Sequence, residues 1–171
     1  MGAISVKHVV LSLALILPTT SNSSNVLIEP GSSLNGGVVT FYISCSDMPQ
    51  NTTIDIDNCL RIQLTQIEWV RNKYSTAALN RLKEDHKNEP QRLRDLTEAF
   101  DAESEAWSEL VEKASTSVES DASGGVTTNS AIASRQISLQ KLRTHDIWEH
   151  WLRFEDSTPP VLPEPQFKSD R

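Results

Sequence analysis

Two cysteines, Cys45 and Cys59, are the residues of this chain best placed to form a bond that decides how it folds. They follow an export-type N-terminus. Thiols delivered to an oxidising compartment pair with each other, so the spacing predicts a disulfide and not a metal or redox site. Closing a loop of about 15 residues stabilises a fold by about 3 kcal/mol in the chain-entropy account. His145 and His150 are five positions apart, about 140° around a helix, which is poor geometry for a shared metal. Asp146 and His150 share a helix face at i, i+4, with no third ligand beside them. No Gly-x-Ser-x-Gly elbow occurs among the serines, and Gly124-Gly125 lacks the Lys and Gly spacing of a phosphate loop. Glycosidase chemistry needs two carboxylates in different environments across a cleft, which a three-helix arrangement seldom makes. The chain is expected to act by binding, with no catalytic residue, cofactor or metal.

The elements around the cysteines begin with Lys7, His8 and the apolar run Val9 to Leu17, followed by Pro18 and a Ser/Thr/Asn stretch. That order matches a secretory signal peptide over residues 1–24, with the cut between about Thr20 and Asn25. The apolar run is far shorter than the ~20 residues a spanning helix needs, and no cysteine follows it as a lipid-attachment site. The sequence therefore predicts secreted or periplasmic placement with no stable membrane anchor. The full chain carries 16 basic and 23 acidic residues, and losing Lys7 leaves 15 against 23, or −8. Such a balance disfavours nucleic acid and favours cationic partners. Asn22 and Asn51 lie in glycosylation sequons, which matter only in a eukaryotic host.

Residues 25–52 are rich in Ser, Asn, Gly and Thr around one β-prone run, Val38 to Ile43. A lone strand has no partner, so this region is expected to be an extended arm tethered at Cys45. Thr52 and Thr53 offer helix caps, with Asp55 and Asp57 at the positive end of a first helix running from Ile54 to about His86. Ile56, Leu60, Leu64, Ile67, Val70, Tyr74, Ala78 and Leu82 fall on one stripe of it, with Cys59 at the border. Pro90 suits the first position of a second helix to about Val118. Leu93, Leu96, Phe100, Trp107, Leu110, Val111 and Ala114 form its apolar face, and Glu98, Asp101, Glu105, Glu109 and Glu112 the opposite face. Glu103 falls on the apolar side, where an unpaired charge is costly, so a basic or hydrogen-bonding partner from another helix is predicted.

A flexible connection over Ser120 to Thr128 leads to a third helix, Asn129 to about Phe154, apolar on two sides. Ile132, Leu139, Leu142 and Ile147 make one side, and Ile137, Trp148, Trp151 and Leu152 the other. Such a helix must be covered twice or leave a sticky patch. The Pro-rich segment 156–165 is placed to fold back over Trp148 and Trp151, and Gln166 to Arg171 read as disordered. The expected fold is all-α: a small three-helix bundle, made of a long antiparallel hairpin and a third helix across it. Its parts are the arm (25–52), the helical domain (53–156) and the Pro-rich tail (157–171).

One ordered set of segments carries a family resemblance: Cys45, TTIDIDNCL at 52–60, QIEWVRNKY at 66–74, Glu105 to Trp107, Gly124-Gly125, SLQKLRTHDIW at 138–148 and WLRFEDSTPPVLPEP at 151–165. Over roughly residues 45–165 the chain resembles the exported family named for the lysozyme inhibitor LprI. The resemblance implies a helical domain whose first cysteine pair is Cys45 and Cys59, and a protein that occupies or blocks lysozyme. The family commonly has a second cysteine pair, whose places fall near Ser115 and Arg135 here. The expected partner is lysozyme or another basic envelope protein. The rival expectation is an envelope adaptor that docks a different protein through its Trp148/Trp151 side and tail. Arg143, Trp148, Trp151 and Asp156 are the candidate binding residues, weighed against intramolecular packing of the same four.

Overall fold

The computed structural model describes residues 27–169; the predicted signal peptide lies outside them. Three helices and a small sheet make up the fold: β1 (Gly31–Asn35), β2 (Val38–Ile43), α1 (Thr53–Asp85), α2 (Pro90–Ala122), α3 (Thr128–Ile147), a π-helical turn (Trp148–Leu152) and β3 (Glu164–Ser169). No helix of the described residues is long and apolar enough to cross a membrane.

Thr52 starts α1 through a capping box. Its hydroxyl accepts from the Asp55 amide at 3.2 Å, while its own amide donates to the Asp55 carboxylate at 3.0 Å. The predicted stripe of α1 holds from its middle onward, where Ile67, Val70, Tyr74, Ala78 and Leu82 are buried. It fails at the N-terminal end, where Ile56 is exposed although the next residue, Asp57, accepts a hydrogen bond from Ser130 of α3. Pro90 occupies the first turn of α2. Only Phe100 is fully buried on α2, which leans on α3 far more than on α1. Ser123, in the left-handed conformation at φ 50°, ends α2. At the α2–α3 join, near the places of the family's second cysteine pair, Gln136 Nε2 donates to Ser115 Oγ at 3.1 Å. Leu142 is exposed and not part of an apolar side of α3. Where α3 closes, the Arg153 amide donates to the Trp148 carbonyl at 3.1 Å, widening the last turn into a π turn before the chain leaves.

The all-α expectation is correct only for the helical body. The expected extended arm is a hairpin, and the C-terminal stretch read as disordered supplies a third strand. β1 and β2 pair antiparallel with Asn35 opposite Val38, turning through Gly36 and Gly37 at φ 57° and 84°. Two consecutive positive φ values make the primed two-residue turn that follows the natural twist of paired strands, and glycine adopts it at little steric cost. β3 adds to β2 in parallel, Val38 facing Glu164 and Phe41 facing Phe167. The strand Val38–Ile43 thus has two partners, one local and one from the far end of the chain.

The hairpin is fixed to α1 in three ways. Phe41 and Ile43 are fully buried in the same cluster as Ile67, Val70 and Tyr74. The Gln66 side-chain amide pairs with both backbone groups of Ser44 at 3.0 Å each, continuing the ladder with a side chain. Cys45 and Cys59 form a disulfide with their Cα atoms 5.4 Å apart, within the ordinary range for such a bridge.

Candidate functional site

Arg143, on the inner face of α3, has a side chain only 4% exposed. Its Nη1 donates to Glu103 Oε1 and to Asp146 Oδ2, the latter at 2.8 Å, and its Nη2 donates to Ser104 Oγ at 3.3 Å. The guanidinium also lies 5.7 Å from the Phe100 ring centroid and 5.6 Å from that of Trp107. Glu103 accepts a further bond from Trp151 Nε1 at 3.0 Å, and the Trp151 ring meets Phe100 edge-on at 5.1 Å. The partner predicted for Glu103 is therefore present twice, from α3 and from the π turn. Burial pushes the Glu103 carboxyl up, but the Arg143 hydrogen bond and charge, with the Trp151 bond, hold it below its usual value. Asp146 is held above its usual value by burial and by Glu103, only partly offset by Arg143.

The four candidate binding residues do not form one surface. Arg143 and Trp151 meet through Glu103, inside the molecule. Trp148 is buried, and its Nε1 donates to the Leu162 carbonyl of the tail at 3.0 Å. Asp156 lies apart in an exposed turn, accepting from the Thr158 amide at 2.9 Å, and the Thr158 hydrogen bonds hold its carboxyl below the usual range. The tail reaches Trp148, one of the two indoles it was expected to cover, whereas Trp151 turns to Glu103 and Phe100. The contact at Trp148 is made by a backbone carbonyl, and Tyr74 Oη holds the next carbonyl, Pro163, at 2.7 Å. Burial also pushes the Tyr74 phenol up.

The histidines diverge. His145 approaches Glu149 at 3.9 Å and Glu164 at 3.4 Å, while His150 approaches Asp146 at 3.6 Å. Among the described residues no group of three or more His, Cys, Asp or Glu is placed to hold a metal ion.

Two charged features lie within reach of a ligand or partner. The first is the outer face of α2, where Glu98, Asp101, Glu105, Glu109 and Glu112 are all exposed, as their spacing predicts. Lys113 pairs with Glu109. The other four have no ion-pair partner among the described residues. At the helical rise the stripe spans about 20 Å. The second is a cleft of about 280 Å³ between the three helices, entered by Arg71 from α1 and Arg143 from α3 and walled by Phe100 and Trp107 of α2. The sequence reading missed Arg71 and this cleft. Arg71 lies off the apolar stripe of α1, and nothing local tells that α3 presents Gln140 and Arg143 opposite it.

No family model, curated protein or solved structure matches the chain.

Proposed function

We propose that the chain is an exported binding protein that holds a basic protein against the outer face of α2, with lysozyme as its target and lysozyme inhibition as the outcome. The observation that carries this reading is the row of exposed carboxylates on α2, four of them without an ion-pair partner among the described residues. Lysozymes are commonly strongly basic, and the net charge of −8 left by 15 basic and 23 acidic residues once Lys7 is lost steers such a protein toward this chain from a distance. The disulfide supports an oxidising destination. The resemblance over residues 45–165 supports lysozyme over other basic proteins.

An adaptor for another basic envelope protein uses the same face and is the second reading. Docking through Trp148 and Trp151 has less support, because those indoles bond to Leu162 and Glu103 within the chain. The test is lysis of a cell-wall suspension by lysozyme mixed with the purified chain. Slowed lysis that recovers as salt rises supports the inhibitor. Undiminished lysis at high molar excess removes lysozyme as the target.

A further inference from the structure

The cleft between the helices carries the opposite charge from the net charge of the chain. The chain holds 23 acidic residues, yet none of those among the described residues lines this cleft, and two arginines do. Arg143 is neutralised from behind by Glu103 and Asp146, neither of which faces the cleft. Arg71 is not. Its Nη1 donates to Gln140 Oε1 at 3.0 Å, and its Nε and Nη2 share Asn72 Oδ1 at 3.3 and 2.9 Å. Both acceptors are neutral amides, and Arg71 has no ion pair among the described residues. A guanidinium has five N–H donors in a planar fork, so part of this one remains available. Burial pushes the Arg71 guanidinium down, Glu68 one turn earlier opposes that, and Arg143 adds to it. A half-buried cation beside a second cation is relieved by an incoming anion.

The neighbouring hydroxyls narrow the kind of anion. Ser104 Oγ gives its proton to the Phe100 carbonyl at 2.8 Å, and Ser108 Oγ gives its own to the Ser104 carbonyl at 3.0 Å. Their oxygens are thereby left as acceptors, Ser104 Oγ already taking one bond from Arg143 Nη2 at 3.3 Å, and such acceptors suit a ligand bearing O–H groups. Trp107 adds an apolar wall, and about 280 Å³ sits at the small end of ligand cavities. The geometry points to a binding site for a small hydroxylated carboxylate of sugar-acid size, its carboxylate in the fork of Arg71, its hydroxyls on Ser104 and Ser108 and its body against Trp107. The site is on the inner face of α2, so it neither needs nor implies the outer-face contact proposed above.

Calorimetric titration of the full exported chain with glucuronate tests this, with glucose as the uncharged control and sulfate as the anion without hydroxyl donors. Glucuronate is expected to bind; glucose, which offers no charge-assisted bond to Arg71, and sulfate, which offers no O–H to Ser104 and Ser108, are each expected to bind at least about tenfold more weakly. Arg71→Gln, which breaks no ion pair among the described residues although it removes the cation nearest Glu68, is expected to weaken glucuronate by about tenfold or more, and Arg71→Lys, charged but without the fork, by less. Trp107→Phe is expected to abolish the ligand-induced change in indole emission. Absence of glucuronate binding up to about 10 mM overturns the site. So does equal binding of glucose, or full affinity in both folded Arg71 variants; sulfate binding as tightly as glucuronate overturns the sugar-acid assignment.

Discussion

Glu103→Ala removes one of two carboxylates from an arginine whose side chain is 4% exposed. Breaking a buried ion pair from one side costs about 3–5 kcal/mol, because the remaining charge is left desolvated. Asp146 still sits 2.8 Å from Arg143 Nη1, and Ser104 is 3.3 Å from Nη2, so the charge is not fully orphaned. That places the Arg143 contribution near the low end, about 3 kcal/mol. Trp151 Nε1 loses its acceptor as well, for up to about 1 kcal/mol, since the ring is only half-buried and water can substitute. For a domain of this size 3 kcal/mol lowers Tm by about 10 °C. Glu103→Gln keeps an acceptor for both donors and is expected to lose less. The double variant Glu103→Ala/Arg143→Met removes the stranded charge and is expected to be more stable than Glu103→Ala alone. Thermal unfolding followed by circular dichroism reads all three. A Glu103→Ala protein melting within about 2 °C of the parent refutes the account of this cluster.

The same cluster sets a pH dependence. The folded pKa of Glu103 is depressed, so its contribution is present above the unfolded carboxylate pKa and is lost as pH falls through the folded value. Asp146 is raised, so its contribution is present at low pH and is lost as pH rises through its folded value. The two together predict greatest stability on the mildly acidic side, and Asp146→Asn is expected to flatten the loss toward neutral pH in melts across a pH series. Reducing Cys45–Cys59 is expected to remove about 3 kcal/mol and about 10 °C, checked by melts with and without reductant. Tyr74→Phe releases the Pro163 carbonyl and is expected to cost about 1 kcal/mol in denaturant unfolding. Ending the chain at Asp156 removes β3 and the Trp148 acceptor, so a red-shifted indole emission and loss of solubility are expected.

The helices were legible because their signals are local. Thr52 and Asp55 cap α1, Pro90 opens α2, and the stripe from Ile67 to Leu82 repeats at helical spacing. Glu103 was legible as a residue needing a partner, since a carboxylate among Phe100 and Trp107 cannot stay unpaired, although which cation answers it depends on how α3 packs. The sheet was not legible in the same way. Asn35-Gly36-Gly37 before an apolar run is a hairpin signal, but β1 is entirely exposed and its sequence, GSSLN, looks like a linker. The pairing of Val38–Ile43 with Glu164–Ser169 is parallel and spans most of the chain, and no local pattern encodes it. Three of the four candidate binding residues turned inward for the same reason: Arg143, Trp148 and Trp151 have partners on α2 and in the tail that are remote in sequence, while Asp156 stays exposed.

The outer face of α2 is the surface proposed to bind a basic protein. Glu98→Gln/Asp101→Asn/Glu105→Gln/Glu112→Gln neutralises the four carboxylates that have no ion-pair partner among the described residues, and leaves the core untouched. Measured by titration against lysozyme at low salt, the parent is expected to bind and the variant to bind about tenfold or more weakly, with the difference shrinking as salt rises. Equal affinity of the two proteins, or no binding by the parent, contradicts that proposal.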